Sequence, residues 1–263
     1  MKQTHVVLIH GAWFHMSCWQ GWAERFTSHG FVACVPGWPG ESATVAQVRH
    51  DLGPMGDLGL AALTIHYEKI VRSYDNPPVL IGHSVGGLIA QQLLGAGLGR
   101  AAIALAPLPA IGVPLGDDSP RRARHLDSWP LPRTEFRHVV ANAVGEEEAE
   151  QLFEQYAVPA PRRLLTDLGL DRTAGGSADT IVNMANTARG PLLLISGQED
   201  RMVPDAVTRS VFKLYGDSPA VTDLKQFADR GHSLVFDSGW RAVADYVLIW
   251  LAANGIAATT AEH

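Results

Sequence analysis

Short runs of apolar residues alternate along most of the chain with segments whose apolar positions recur at helical spacing. Most of the short runs are nearly continuous in apolar residues, which is typical of strands buried on both faces of a parallel sheet. Strands that alternate with helices predict an α/β fold, with a six-stranded, mostly parallel sheet flanked by helices. The predicted strands are 5–9, 31–35, 79–81, 101–105, 191–195 and 221–227, and the predicted helices are 18–28, 60–73, 85–94, 204–214 and 240–252.

The alternation breaks between residues 107 and 188, where the strands give way to prolines, arginines and short amphipathic helices such as Glu146–Tyr156. A connection of about 80 residues is far too long for a compact domain. We therefore expect residues 107–188 to form an inserted, mainly helical lid (cap). Residues 1–106 and 189–263 are then expected to form the core.

Seven arginines of this predicted lid allow two interpretations. They could attract an anionic substrate, or they could be a solvated surface that pairs with Glu146–Glu148 and neighbouring acids. The second interpretation is favoured, because exposed arginines usually have that role. The arginines are Arg121, Arg122, Arg124, Arg133, Arg137, Arg162 and Arg163.

The overall charge of the chain indicates which classes of partner it can bind. The 263 residues carry a formal net charge of −6, so nothing suggests binding to the phosphate backbone of a nucleic acid. The first apolar run is too short for a signal peptide or a membrane span, so we expect a cytoplasmic protein with no membrane partner. A small-molecule substrate is the expected partner. A homodimer stays open, because no exposed apolar stripe is long enough to argue for one.

The sharpest chemical signal is Gly82-His83-Ser84-Val85-Gly86, which follows a predicted buried strand and opens a predicted helix. This setting is what a nucleophile elbow requires, because a serine on a sharp strand-to-helix turn needs small neighbours. The turn also aims the first N–H groups of the helix at a developing oxyanion. We therefore predict Ser84 as a nucleophile. The alternative is a glycine-rich turn in which Ser84 only caps the helix.

A second motif, His10-Gly11-Ala12-Trp13, directly follows the first predicted strand. Acyl transfer needs two N–H donors that converge on the oxyanion, one from the residue after the nucleophile and one from a neighbouring loop. These donors are predicted to be the N–H groups of Val85 and Ala12. An ordinary strand-to-helix turn is the alternative for this motif.

An acid and a histidine follow the last two predicted strands. Asp200 lies beyond the strand 191–195, and His232 lies in a glycine-containing loop after the final strand. The chain order serine, acid, histidine is the order expected for a triad on a fold of this kind. We predict His232 as the general base and Asp200 as the carboxylate that orients it. The other acids that stay open for this role are Glu199, Asp117 and Asp118.

Together these motifs resemble the α/β-hydrolase superfamily over essentially the whole chain, in its branch with a serine nucleophile. The start of the chain, with His10-Gly11-Ala12-Trp13 followed by Cys18-Trp19, is similar to the plant methylesterase and hydroxynitrile lyase group and to related bacterial hydrolases. The resemblance implies the strand order 2-1-3-4-5-6, so that the loops after strands 1 and 3 diverge and open a crevice. No cofactor and no metal are expected.

Two positions depart from the lyases of that group. Those enzymes carry a threonine where Gly11 stands and a lysine directly after the catalytic histidine, where this chain has Ser233. Without that cation little would stabilise a departing cyanide, so hydroxynitrile lyase activity is disfavoured. A serine at the elbow also argues against dehalogenase and epoxide hydrolase chemistry, which in this superfamily uses an aspartate there.

The residues and the resemblance lead to one expected reaction, the hydrolysis of a carboxylic ester, thioester or lactone through an acyl-enzyme on Ser84. The expected enzyme is carboxylesterase-like, and its substrate is a small, largely apolar molecule. The alternatives are C–C bond cleavage, lyase, cofactor-free oxygenase or acyltransferase chemistry on the same triad, or a ligand receptor without catalysis. The residues expected to line the substrate site are Trp13, Phe14, Trp38, His83, Trp129 and Leu131.

Overall fold

Six strands form one sheet in the computed structural model, which describes residues 3–110, 112–115, 130–170, 178–216 and 218–258. The strands are β1 (His5–Ile9), β2 (Val32–Cys34), β3 (Val79–His83), β4 (Ala101–Leu105), β5 (Leu192–Gly197) and β6 (Thr222–Phe227). All neighbouring strands are parallel, and their order across the sheet is β2-β1-β3-β4-β5-β6. The predicted fold class and strand order are therefore confirmed.

Nine α-helices occur among the described residues. They are α1 (Gln20–Ser28), α2 (Val45–His50), α3 (Leu60–Arg72), α4 (Val85–Gly95), α5 (Arg133–Val139), α6 (Glu146–Tyr156), α7 (Arg162–Asp167), α8 (Asp205–Leu214) and α9 (Trp240–Ala253). Helix α1 is preceded by a 3-10 turn, Met16–Trp19, so the predicted helix 18–28 is regular only from Gln20. Helix α2 was not predicted, because it buries only Val48 and therefore shows no amphipathic repeat.

The central strands are buried on both faces, and this explains their nearly continuous apolar sequences. All residues of β3, β4 and β5 are buried, and in β1 only His5 is partly exposed. Strand β6 is the edge of the sheet and is partly or fully exposed along its length, where it carries Asp223 and Lys225. Charged side chains on an edge strand protect it from pairing with another chain.

The strand order places the loops after β1 and β3 at a switch point. Strand β1 lies between β2 and β3, so the chain leaves β1 towards one side of the sheet and leaves β3 towards the other. In open parallel sheets a crevice forms at such a point, beyond the carboxyl ends of the strands. Here the loop after β1 carries Gly11 and Ala12, and the turn after β3 carries Ser84.

The segment between β4 and β5 contains helices α5, α6 and α7, and no strand occurs in the part of it that the structure describes. An isolated antiparallel bridge between Phe14 and Ala157 joins the end of α6 to the loop after β1. Two main-chain hydrogen bonds flank the bridge, from His15 N to Tyr156 O and from Val158 N to Trp13 O, each 2.9 Å long. The segment therefore lies against the loop that carries Ala12.

Ion pairs hold helix α6 from two sides. Arg133 of α5 pairs with Glu150 and Glu154, and Arg49 of α2 also pairs with Glu154. The Arg49 guanidinium in addition donates hydrogen bonds to main-chain carbonyls at the C-terminal end of α6, those of Phe153, Glu154 and Ala157. Arg133 thus pairs with acids of its own segment. The predicted Arg121, Arg122 and Arg124 lie outside the described residues.

Candidate active site

Ser84 occupies a strained turn between β3 and α4. Its φ is 56° and its ψ is −118°, a conformation that non-glycine residues seldom adopt and that clusters at functional sites. Hydrogen bonds hold it there: its N–H donates to Leu105 O over 3.0 Å, and its carbonyl accepts from the N–H groups of Gly87 and Leu88. The predicted elbow geometry is therefore present at Ser84.

The glycines beside Ser84 allow the backbones to approach closely. A Cβ atom on Gly82 would collide with the carbonyl of Gly86, and a Cβ atom on Gly86 would collide with the carbonyl of Ile9 in β1. Any larger residue at either position would push α4 away from the sheet. The two glycines thus seat the N-terminus of α4 against β1 and β3.

His232 and Asp200 form a buried hydrogen-bonded pair. The Nδ1 atom of His232 lies 2.8 Å from Oδ2 of Asp200, and the two side chains are 1% and 0% exposed. The other oxygen of Asp200 accepts from the N–H groups of Met202 and Val203, each over 2.8 Å. Because a carboxylate only accepts, Nδ1 carries the proton, and Nε2 of the neutral ring is left free to accept one.

Asp200 is the predicted acid, and its carboxylate contacts His232 in the structure. The neighbouring Glu199 contributes its main-chain carbonyl, which accepts from Asn142 Nδ2 over 2.7 Å. Its carboxylate has no hydrogen-bond partner among the described residues. Asp117 and Asp118 lie outside the described residues.

His83, which directly precedes Ser84, packs on His232. The ring centroids are 4.6 Å apart, and Nε2 of His83 lies 2.9 Å from the main-chain carbonyl of His232. Burial first, and the neighbouring His232 second, lower the pKa of His83 well below its ordinary value. A neutral His83 therefore donates from Nε2 and supports the backbone of His232.

The two predicted oxyanion donors lie on loops that touch each other. Val85 is the first residue of α4, and Ala12 follows β1; both are buried. A Cβ atom on Gly11 would be only 2.8 Å from Cβ of Ser84, so the loop after β1 packs directly against the elbow. The N–H groups of Ala12 and Val85 donate no hydrogen bond to any acceptor in the described part of the chain.

The residues predicted to line the substrate site are spread over four locations. Trp13, with a φ of 66°, lies on the loop after β1, whereas Trp38 stacks on His10 with ring centroids 4.5 Å apart. Phe14 packs behind the histidines, 5.6 Å from His83 and 6.2 Å from His232 between ring centroids. Leu131 is buried and lines a cavity of about 280 Å³ with Arg49, Phe153 and Val158. Trp129 lies outside the described residues.

Three residues at the site were not singled out in the sequence. Phe136 of α5 and Phe236 pack on Phe14, at 6.3 and 5.1 Å between ring centroids, so these three rings form an aromatic wall that reaches His232 through Phe14. Glu41 is fully buried and contacts His10. Only Glu41 had a positional signal, because it follows β2 and so lies at the same edge of the sheet as Ser84.

The described residues contain neither a candidate metal site nor a candidate membrane span. No group of three or more histidine, cysteine or acidic side chains among them is arranged to hold a metal ion. Within the same residues, no helix has both the length and the apolar character needed to cross a bilayer.

Known structures share the fold of the chain. The chain is similar in structure to a monoacylglycerol lipase from Paleococcus ferrophilus, with 18% identity and a TM-score of 0.69 over 95% of this chain and 94% of the lipase. A methylesterase from Arabidopsis is similar with 17% identity and a TM-score of 0.64, over 95% of this chain and 99% of the methylesterase. Tomato methylketone synthase I is similar with 14% identity and a TM-score of 0.68, over 97% and 100% of the two chains.

At such identities these structures show a shared fold and nothing more. The curated protein sequences contain no significant match to the chain. The model of the alpha/beta hydrolase family, in contrast, matches residues 6–246. Because that match spans nearly the whole sequence, the chain belongs to the α/β-hydrolase family.

Proposed function

We propose that the protein is a serine hydrolase that cleaves a carboxylic ester, thioester or lactone through an acyl-enzyme on Ser84. The observation that carries this proposal is the buried 2.8 Å contact between Asp200 and His232, at the same edge of the sheet as the strained Ser84. A serine, a histidine and an orienting acid are the parts that nucleophilic acyl transfer needs.

The first half of the reaction forms the acyl-enzyme. His232 Nε2 takes the hydroxyl proton of Ser84 while Oγ attacks the substrate carbonyl, and the carbonyl oxygen becomes an oxyanion. The N–H groups of Ala12 and Val85 stabilise that oxyanion. His232 then gives the proton to the departing alcohol, thiol or ring oxygen, and the bond between this group and the acyl carbon breaks.

The second half returns the enzyme to its starting state. A water molecule gives its proton to His232 and attacks the acyl carbon, and the second oxyanion collapses as the proton passes back to Ser84 Oγ. Asp200 stays ionised throughout. It holds the ring of His232 in one tautomer and stabilises the imidazolium that forms in each half.

The surroundings favour a small and largely apolar substrate. Apolar side chains such as Phe14, Phe136 and Phe236 form the wall that reaches His232 through Phe14 and would exclude water from it. We propose that the segment 107–188 is a lid over the crevice, since its helix α6 ends on the loop after β1. The similar structures of a methylesterase and a monoacylglycerol lipase support ester cleavage over the other chemistries of this triad.

The remaining expectations about partners and location stay predictions. With a net charge of −6, no nucleic-acid partner is proposed, and the substrate is the proposed small-molecule partner. A cytoplasmic location stays a prediction, and a homodimer stays open. Light scattering of the purified protein would decide between a monomer and a dimer.

The proposal is tested by fluorophosphonate labelling and a series of p-nitrophenyl esters of increasing acyl length. We expect the wild type to be labelled and to hydrolyse esters, and Ser84→Ala to do neither. Ser210→Ala, in which an exposed hydroxyl of α8 is removed, is the matched control and should behave as the wild type. Labelling without turnover would favour a lyase, oxygenase or acyltransferase. A wild type that is not labelled would favour a receptor.

A further inference from the structure

Glu41 is a buried carboxylate that joins two parts of the loop after β1. Its Oε2 atom accepts from the N–H of Trp38 over 2.8 Å and lies 3.1 Å from Nε2 of His10. Its Oε1 atom accepts from the N–H of Met16 over 3.1 Å. One side chain, 0% exposed, therefore holds both ends of the loop 10–16, which contains Ala12.

The ring of His10 has acceptors at both of its nitrogen atoms. Nδ1 lies 3.0 Å from the carbonyl oxygen of Gly11, and Nε2 faces Glu41. A main-chain carbonyl and a carboxylate can only accept hydrogen bonds, so both contacts are hydrogen bonds only when both ring nitrogens carry a proton, and from this geometry we infer a positively charged ring. The stacked indole of Trp38 covers one face of this cation. His10 and Glu41 thus form a buried ion pair.

The other groups that face Glu41 are consistent with its negative charge. Burial acts to raise the pKa of Glu41, but the attraction of His10 and the hydrogen bonds from His10, Trp38 and Met16 outweigh it and lower the pKa to about 2. His15 Nε2 lies 3.9 Å from Oε1. Burial first, and the charge of Glu41 second, raise the pKa values of Cys18 and Tyr67 well above their ordinary values, so both stay neutral.

The contact of His10 with Gly11 acts on Ala12 through one peptide group. The Gly11 carbonyl and the Ala12 N–H belong to the same planar trans peptide, so they point in opposite directions. A hydrogen bond that fixes the carbonyl therefore also fixes the direction of the N–H. Because the donor ring is charged, it also polarises the peptide and makes the N–H a stronger donor.

We propose that His10 and Glu41 are positioning residues, whose ion pair fixes and polarises the Gly11–Ala12 peptide so that the Ala12 N–H points at the oxyanion. This inference rests on the proposed function, because it assigns the pair a role in acyl transfer at Ser84. Trp13, with its φ of 66°, shows that the loop adopts a conformation that needs such support. The pair supplies it from inside the protein.

Two substitutions separate the roles of the two ring nitrogens. In His10→Asn the side-chain amide nitrogen can take the place of Nδ1 and keep a neutral donor to Gly11. In His10→Gln it can take the place of Nε2 and keep only the contact with Glu41. Glu41→Gln removes the charge of the carboxylate. The matched control is Glu68→Gln, which removes an exposed carboxylate of α3 that pairs with Arg72.

Each variant is assayed with a p-nitrophenyl ester and with a trifluoromethyl ketone, whose adduct with the serine carries an oxyanion. We expect kcat to fall about 10- to 100-fold in His10→Gln and Glu41→Gln, somewhat less than the loss of a whole oxyanion donor. We expect KM to change little, and the inhibition constant of the ketone to rise in proportion to the loss of kcat/KM. His10→Asn should retain more activity than His10→Gln, and Glu68→Gln should retain all of it.

If the role of the pair is purely structural, the variants will have lower melting temperatures, kcat and KM will change together, and His10→Asn and His10→Gln will be equally active. That result overturns the inference. The protonation of His10 in the wild type, read from its ¹⁵N chemical shifts at neutral pH, is an independent check if the variants do not fold. A ring protonated at one nitrogen only also overturns the inference. A wild type that is neither labelled by a fluorophosphonate nor active on esters overturns the proposed function instead, and the role of the pair with it.

Discussion

Gly11 lies directly against Ser84, so that a Cβ atom on Gly11 would be 2.8 Å from the Cβ atom of the serine. This contact joins the loop that carries Ala12 to the turn that carries the proposed nucleophile. It also gives a physical meaning to one difference from the hydroxynitrile lyases, which have a threonine at this position. The backbone of this protein leaves no room for that side chain unless one of the two loops moves.

We predict that Gly11→Ala lowers kcat/KM for a p-nitrophenyl ester by about 10²-fold, because a displacement of about 1 Å in the reacting groups has an effect of that size. Gly145→Ala is the control, since a Cβ atom there meets nothing within 4 Å and the φ of Gly145 is −64°. Steady-state kinetics of both variants decide the matter. Full activity in Gly11→Ala would mean that the loop after β1 does not contribute to the reaction.

Asp200→Asn should lower kcat by on the order of 10⁴, because an asparagine in its place can stabilise the wrong tautomer of His232 and cannot stabilise the imidazolium. The neighbouring Glu199→Gln changes a carboxylate that is exposed and does not contact His232, so its kcat should stay near that of the wild type. Asp117→Asn is a second control from the acids that the sequence left open. If either control lost most of its kcat while Asp200→Asn stayed active, the acid that orients His232 would be the residue changed in that control.

His83 offers a test of how the base is supported. His83→Gln keeps a donor within reach of the His232 carbonyl, whereas His83→Phe keeps a ring of similar shape and leaves that buried carbonyl unpaired. An unpaired buried polar group costs about 1–3 kcal/mol of unfolding free energy. We therefore expect His83→Phe to unfold at lower urea concentration and to have lower kcat than His83→Gln. Equal stability and kcat in the two variants would contradict a role for the hydrogen bond.

The lowered pKa of Glu41 predicts how the free energy of unfolding depends on pH. Its pKa is about 2 in the folded protein against an ordinary value of 4.5, so the folded state favours the ionised form. The resulting stabilisation is complete above pH 4.5 and is lost as the pH falls towards 2. At about 1.4 kcal/mol per pH unit the whole effect is about 3 kcal/mol.

Urea unfolding at a series of pH values between 7 and 2.5 measures this dependence. The free energy of unfolding should fall less steeply below pH 4.5 in Glu41→Gln than in the wild type. Glu68→Gln, which removes an exposed carboxylate, should follow the wild type. If the slopes of Glu41→Gln and the wild type are the same, folding does not shift the pKa of Glu41.

The sheet could be predicted from the sequence because its central strands are buried on both faces and are therefore continuous in apolar residues. Strands β1 and β4 have the predicted bounds, and the others differ by one or two residues at their ends. Helix α2, between β2 and α3, was missed for the opposite reason. Helix α2 is short and buries one residue, so packing rather than local pattern determines it.

Much of the candidate site could also be predicted, because Ser84, Asp200 and His232 each follow a strand of a parallel sheet. The structure brings the predicted acid and histidine into contact, while their roles stay predictions. What the sequence could not indicate are contacts between distant parts of the chain. Glu41 with His10 and Phe236 with Phe14 meet only because the loops after different strands converge.

The bridge between Phe14 and Ala157 joins the loop after β1 to the end of helix α6, so this loop is held by α6 as well as by the core. If α6 swings outward to admit a substrate, the bridge opens, and Trp13 next to it loses the partner of its carbonyl. The loop after β1 then keeps its contacts with His10 and Glu41 but loses its main-chain hydrogen bonds to the end of α6. Under the proposed mechanism the Ala12 N–H is therefore held from both sides only while α6 covers the loop, so we expect the ester to react fastest after it has been enclosed.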